Sequence, residues 1–186
     1  MKLTLRSKTL RYRLRVATAL SMFLLILGGI FGPPVLAEQP LPQVQLNADS
    51  LGPRKIEDLT EKSISRDYAL AWQNLSQAVE QNRADLLDAY FTGLAKDDFT
   101  QLIGDQKNSG AHIRYLDHGH KLEALFYSPA GDAIQLQDQA QLEIQYLDGD
   151  KVIQSEQVTY HYIVLMTPGA DRWMVRDLEN APQSKP

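Results

Sequence analysis

Two features in the second half of the chain have residue types that could do chemistry, and the denser of them is the run Asp117-His118-Gly119-His120. His112 lies just upstream of it. An aspartate beside histidines could bind a metal ion, or form a base with its orienting partner. His118 and His120 are two apart and would share one face of a strand, so they could chelate if a third ligand joined them. The alternative is an exposed junction between a loop and a strand.

The second feature is Asp138, which lies between Leu136 and Ala140 on the apolar side of a predicted strand. Burying a carboxylate costs free energy unless the group is paired or protonated. Asp138 could therefore serve a site, with a histidine as its partner. Alternatively, it reaches solvent at a bulge or forms an ion pair with Arg172 or Arg176.

The partner of Asp138 depends on the register of the hairpin at Asp148-Gly149, a dipeptide typical of tight β-turns. A two-residue turn there would turn His161 to the same face as Asp138. A bulged turn would shift the register by one residue and turn His161 to the opposite face. Both registers stay open at this point.

The elements that must position these residues follow from the spacing of apolar side chains. A three-and-four spacing predicts a helix that begins at Ser65 and ends at Asn82-Arg83, with Tyr68 and Trp72 inward. Two shorter helices are predicted over 84–94 and 97–106. A period of two then predicts four strands, over 121–127, 133–146, 151–166 and 172–178. Helices followed by strands predict an α+β domain with the helices packed on one face of an antiparallel sheet.

Five aromatic residues of this region could line a pocket for an aromatic or lipidic ligand, although aromatic residues at strand spacing are more often core. They are Tyr90, Phe126, Tyr160, Tyr162 and Trp173. The opposite face of the 133–146 strand carries glutamines from Gln135 to Gln145. This face is expected to be solvated, or to serve as an association surface.

The N-terminal 37 residues have the pattern of an export signal. Six basic residues precede an uncharged apolar run from Val16 to Phe31, and Val35-Leu36-Ala37 fits a signal peptidase site. The apolar stretch 16–36 is also just long enough to span a membrane if it is retained. Either way, positive charge stays inside, so the rest is expected in the periplasm or on the extracytoplasmic face of the inner membrane.

The exported part is strongly acidic. Beyond Ala37 it has 13 basic and 23 acidic residues, a net charge of −10, which disfavours nucleic-acid binding. The chain has no cysteine, so no disulfide holds the fold. We predict a Pro-containing tether over 38–62, one domain over 63–179, and a disordered tail over 180–186.

This order of elements resembles the nuclear-transport-factor-2-like superfamily, whose helices cover a strongly curved sheet to form a cone. The residues that carry the resemblance are the Tyr68–Trp72 helix, Tyr90-Phe91-x-Gly93, the Asp148-Gly149 hairpin and the final Arg172-Trp173-x-Val175 strand. The match covers about 63–179. The layout is also similar to Tim-translocase-like domains and to the single-span inner-membrane subunit of type IV secretion systems.

The resemblance implies a pocket at the wide end of the cone, but the superfamily includes enzymes, binding proteins and scaffolds. We expect a binding or scaffold domain without catalysis or cofactor, whose partner is a protein or a small apolar ligand. One alternative is an isomerase or dehydratase that uses Asp138 as base and His161 or His120 as helper. A second alternative is a secretion-system-like assembly subunit. Paired cones of this superfamily often meet through their sheets, so a homodimer through the glutamine face is also expected.

Overall fold

The computed structural model describes residues 40–51 and 54–181. The predictions for the leader 1–37 and for most of the tail 180–186 lie outside the described residues. Within them, one 3-10 helix and two α-helices, α1 and α2, accompany a five-stranded sheet. The elements in chain order are β1 Val44–Asn47, α1 Asp58–Gln81, the 3-10 helix Ala84–Ala89, α2 Gly93–Ser109, β2 His112–Tyr127, β3 Ile134–Asp148, β4 Lys151–Pro168 and β5 Trp173–Asn180.

Helix α1 buries the apolar stripe that the sequence predicts. Ile64, Tyr68, Trp72 and Leu75 recur at three- and four-residue spacing and are almost fully buried. The helix ends at Asn82, which adopts a left-handed conformation with φ 53° and donates its N–H to the last turn of the helix. The helix begins at Asp58, seven residues before the predicted start, so its first five residues lie within the predicted tether.

The segment between α1 and the sheet differs from the two predicted short helices. Residues Ala84–Ala89 form a 3-10 helix, and α2 begins at Gly93 instead of at residue 97. Gly93 has a φ of 57°, and a Cβ there would lie 3.0 Å from the carbonyl oxygen of Arg176. Gly93 is therefore the point where the chain turns into α2 against β5, and not the end of the preceding helix.

The curved sheet has the strand order β1-β2-β3-β4-β5. Strands β2 to β5 form a meander, whereas β1 is joined to β2 by the segment that contains the helices. Strands β2 to β5 pair antiparallel, as the alternating pattern predicts. Strand β2 begins nine residues before the predicted start at residue 121 and carries two β-bulges, one at His118 and one at Leu125. Each bulge adds one residue to β2, so the faces of its side chains exchange at that point.

The predicted tether 38–62 contains a strand of the sheet. Residues Val44–Asn47 pair parallel with the second half of β2, and the preceding Gln43 accepts a hydrogen bond of 2.8 Å from the N–H of His120. Four residues are too short for their alternation to stand out in a polar, proline-containing segment. The folded part of the chain therefore includes residues before the predicted domain start at 63.

The two-residue turn of the β3–β4 hairpin lies at residues 149–150, one position later than the predicted turn at Asp148-Gly149. Asp148 pairs with Lys151, and a bulge near Tyr146 adds a further shift. As a result, Asp138 lies opposite Tyr162 and Gln139 lies opposite His161. His161 therefore lies on the outer face and is exposed, away from Asp138.

The core lies between α1 and the concave face of the sheet. It contains Leu122, Leu136, Val164, Val175 and Trp173 from the strands, together with the buried stripe of α1. Trp173 is 8% exposed, and its backbone N–H donates to Oδ2 of the buried Asp67 on α1 at 2.8 Å. Within the described residues, no helix is long and apolar enough to cross a membrane.

Trp173→Ala is expected to lower the free energy of unfolding by about 3–5 kcal/mol, because it removes a buried aromatic side chain and leaves a cavity. Phe126→Ala is the matched control, since Phe126 is also an aromatic strand residue but is 45% exposed. It should cost less than about 1 kcal/mol. Urea denaturation measures both. Equal losses for the two variants would contradict the face assignment of β5.

Candidate functional site

A histidine held between two carboxylates is the centre of the buried polar residues. His120 Nδ1 lies 2.8 Å from Asp138 Oδ2, and His120 Nε2 lies 2.8 Å from Asp117 Oδ2. The side chains of His120 and Asp138 are fully buried, and that of Asp117 is 5% exposed. Tyr68 on α1 donates its hydroxyl to the same Asp138 oxygen at 2.7 Å. We call Tyr68, Asp117, His120 and Asp138 the buried network.

The bulge at His118 brings Asp117 and His120 to one face of β2. In a regular strand, residues three apart point to opposite faces, but the extra residue restores them to the same side. Gly119 has a φ of 130°, which favours glycine, and its N–H donates to Asp117 Oδ1 at 2.8 Å. His118 turns outward, where its Nε2 lies 3.6 Å from a carboxylate oxygen of Glu143.

This arrangement corrects two expectations for the run Asp117-His118-Gly119-His120. The run is not an exposed junction, because it lies inside β2 and His120 is buried. His118 and His120 also do not share a face, so they cannot chelate together. His112 lies at the exposed start of β2. Among the described residues, no group of three or more His, Cys, Asp or Glu side chains has the geometry of a metal site.

The structure also decides the partners of Asp138. Of the two predicted histidine helpers, it brings His120 to the carboxylate and turns His161 away, because the hairpin register differs. Arg172 pairs instead with Asp171, at 2.8 and 2.9 Å. The ion pair predicted between Asp138 and an arginine, Arg172 or Arg176, is therefore not formed. The other Asp138 oxygen, Oδ1, is buried and has no hydrogen-bond partner within the described part of the chain.

The contacts of His120 fit its protonated form. A neutral imidazole has one N–H, so it could not donate to both carboxylates, whereas an imidazolium donates from both nitrogens. Burial by itself lowers the pKa of His120, but the hydrogen bonds to Asp117 and Asp138 outweigh it and raise the pKa to about 9. Burial, followed by the Asp138 charge, raises the pKa of Tyr68 well above its usual value. Tyr68 therefore remains a neutral donor.

Trp72 lies between the buried network and a cavity of the domain. Its ring lies 4.6 Å from the His120 ring, centroid to centroid, and it also forms part of the cavity wall. The cavity has a volume of about 300 Å³ and is bounded by both α-helices and by β2 to β5. Neither His120 nor Asp138 is among its lining residues. The lining residues are Trp72, Leu75, Ala95, Asp98, Phe99, Leu102, Tyr115, Leu142, Tyr160, Tyr162, Leu178 and Asn180.

Two of the five aromatic residues predicted to line a pocket do so, Tyr160 and Tyr162. Phe126 points outward because the second bulge of β2 turns Tyr127 inward in its place. Tyr90 lies under the guanidinium of Arg172, with its ring centroid 5.2 Å from Arg172 Cζ. Trp173 belongs to the core.

Sequence reasoning missed Trp72, Tyr115 and Phe99 as cavity residues, and Tyr68 as a partner in the buried network. It named Asp117 with the neighbouring histidines as a candidate base and orienting partner, but did not join Asp117 to Asp138 through His120. The signal available for Tyr68 and Trp72 was their place on the buried stripe of α1, which also predicts plain core packing. Burial raises the pKa of Tyr115 to about 12, with smaller contributions from Tyr160 and Tyr146. Its phenol is therefore neutral in the cavity wall.

Comparison with solved structures supports the fold. The intermembrane-space region of the chloroplast protein ARC6 superposes with a TM-score of 0.56 at 14% identity, over 70% of this chain and all of that one. A protein of the NTF2-like family from Streptomyces avermitilis gives 0.46 at 10% identity, over 70% and 100% of the two chains. The Kfla4162 protein from Kribbella flavida gives 0.46 at 9% identity, over 66% and 92%.

The domain therefore shares its fold with the ARC6 region, and this fold has the α+β arrangement of helices against an antiparallel sheet that the sequence predicts. At this level of identity the likeness concerns the fold alone. No protein-family model matches the chain, and no curated protein matches it.

The raised pKa of His120 predicts that stability falls as pH rises. In the unfolded chain the histidine has a pKa of about 6.5, so it loses its proton above that pH. In the folded chain His120 keeps the proton up to a pH of about 9. The stabilisation is therefore fully present below pH 6.5 and is lost as pH rises through about 9. The difference between the two pKa values corresponds to roughly 3 kcal/mol.

Urea denaturation of the wild type and of His120→Gln between pH 6 and pH 10 measures this effect. The wild-type free energy of unfolding should fall over that range, and the variant should show a much flatter dependence. Equal slopes for the two proteins would contradict a protonated His120.

Proposed function

We propose that the chain is an exported binding domain that does not catalyse a reaction, and that it holds a small ligand or an apolar partner segment in its cavity. The observation that carries this proposal is the position of Trp72. It closes the cavity on one side and contacts His120 on the other, so the acid–base groups do not reach the cavity surface. A catalytic acid or base must come within hydrogen-bond reach of its substrate.

The chemistry of the cavity wall suits binding. Its walls combine aromatic and aliphatic side chains with the hydroxyls of three tyrosines, the amide of Asn180 and the carboxylate of Asp98. Apolar walls with polar groups that can orient a ligand are typical of ligand sites. At about 300 Å³, it lies at the lower end of the usual range of ligand pockets.

We further propose that the domain is displayed outside the cytoplasm, either free after signal cleavage or tethered by residues 16–36. The basic leader, the apolar run and the Val35-Leu36-Ala37 ending support export. A retained helix would also suit a membrane-assembly subunit with the layout of secretion-system proteins, associating through the exposed glutamine face of β3. The intact mass of the purified protein distinguishes cleavage from retention.

The second candidate function is an isomerase or dehydratase with Asp138 as base and His120 as its helper. The observation that favours it is Oδ1 of Asp138, a buried acceptor that lies beside a protonated histidine and has no hydrogen-bond partner among residues 40–51 and 54–181. For this function Trp72 would have to move, because it stands between the network and the cavity.

The cavity should bind an uncharged apolar dye such as N-phenyl-1-naphthylamine. We expect Leu102→Trp to reduce that binding at least about tenfold, because Leu102 lines the cavity and a larger side chain would fill it. Leu94→Trp is the matched control, since Leu94 is an exposed leucine of the same helix outside the cavity wall. Dye fluorescence measures both variants. Undiminished binding by Leu102→Trp would contradict a ligand site in this cavity.

Asp138→Leu separates the binding function from the enzymatic one. If the buried network is structural, the variant leaves His120 and Tyr68 without their acceptor and should lose roughly 3–5 kcal/mol of unfolding free energy. If Asp138 serves a catalytic site at a cost in stability, the variant should be equally or more stable. Gln137→Leu is the control on the exposed face of the same strand. We expect the loss for Asp138→Leu alone, by urea denaturation; a stabilised variant would favour the enzyme.

A further inference from the structure

We propose that the ligand of this cavity is an organic cation with an apolar body, such as a quaternary or alkylated ammonium compound. This inference rests on the proposed binding function and adds the chemical class of the ligand. Three properties of the cavity carry it: the aromatic faces of its wall, the sign of its charged residue, and its size.

The first property is a group of aromatic rings on neighbouring elements. The ring centroids of Trp72 and Tyr162 lie 6.0 Å apart, and those of Tyr160 and Tyr162 lie 5.6 Å apart, with both pairs tilted by about 40°. Tyr115 and Phe99 complete the aromatic part of the wall. Aromatic faces carry partial negative charge and attract ammonium groups, most strongly those that are poorly hydrated.

The second property is charge. Asp98 is the one charged residue among those that line the cavity, and no lysine, arginine or histidine of the described residues joins it there. An anionic ligand would therefore meet a carboxylate with no basic partner. The exported part of the chain also carries a net charge of −10, which attracts cations toward the domain.

The third property is the shape of the remaining wall. Leu75, Leu102, Leu142 and Leu178 contribute aliphatic surface between the rings. A strongly hydrated inorganic cation gains nothing from such surface, whereas an alkyl or aryl body buries apolar area against it. The volume of about 300 Å³ suits a compact ligand instead of a long lipid chain.

The test uses three probes that share a phenyl body and differ in charge: benzyltrimethylammonium, benzyl alcohol and phenylacetate. They are titrated by calorimetry into the purified full chain, held in lipid nanodiscs if its leader is retained. We expect benzyltrimethylammonium to bind at least about fivefold more tightly than benzyl alcohol, because a cation over aromatic faces gains that order of affinity. Phenylacetate should bind most weakly.

Two variants locate the charge effect. Asp98→Asn removes the carboxylate from the cavity wall with little change of shape, and should weaken benzyltrimethylammonium about threefold or more while leaving benzyl alcohol unchanged. Asp97→Asn makes the same change of net charge at the neighbouring residue, which does not line the cavity, and should leave both affinities unchanged. Tyr160→Leu should weaken the cation more than the alcohol, because it removes one aromatic face.

The outcomes separate this inference from the function on which it rests. Suppose that benzyltrimethylammonium and benzyl alcohol bind with equal affinity, while Leu102→Trp still reduces binding of the uncharged dye. This result would overturn the ligand class and leave the binding function in place. Failure of the dye and of all three probes would overturn both. Equal weakening by Asp97→Asn and Asp98→Asn would show a general charge effect, and would overturn the assignment to this cavity.

Discussion

The β-bulge at His118 and Gly119 is the constraint on which the buried network depends. It places Asp117 and His120 on one face of β2, where regular alternation would send them to opposite faces. The bulge needs glycine, since Gly119 has a φ of 130° and a Cβ there would lie 3.0 Å from the carbonyl oxygen of Gln43. The same carbonyl accepts the N–H of His120. The carbonyl group of Gln43, next to strand β1, thus contacts both the bulge and the backbone of His120 and holds them in place.

Burying an imidazolium and two carboxylates in one core is costly, and it makes the fold sensitive to register. The contacts of Asp138 span α1, β2 and β3, because its Oδ2 accepts from both Tyr68 and His120. A slip of one residue between β2 and β3 would turn Asp138 to the solvent face and leave His120 without its acceptor. The network therefore penalises alternative pairings of strands whose outer faces are uniformly polar, as the glutamine face of β3 is.

The sequence predicted the elements and their order better than it predicted the site. Periodicity is a local property, so the buried stripe of α1 and the alternation of β3 were readable without a structure. The bulges and the short strand β1 were not, because each depends on a contact distant in sequence, such as that between Gln43 and His120. One missed residue in a turn or bulge reverses a face. This is why Asp138 was placed correctly among apolar neighbours, while the face of His161 stayed open until the register of the hairpin was known.

The charges of the buried network can act on the cavity through the ring of Trp72, although His120 and Asp138 do not line the cavity. One side of the Trp72 ring lies against His120, and the ring also forms part of the cavity wall. Behind that wall, two carboxylates and one imidazolium sum to a negative charge, and Asp98 adds another at the cavity itself. Interactions across an apolar wall are screened less than those through water. Under the proposed binding function, this charge would stabilise a cation in the cavity, while Trp72 would keep the proton of His120 away from the ligand.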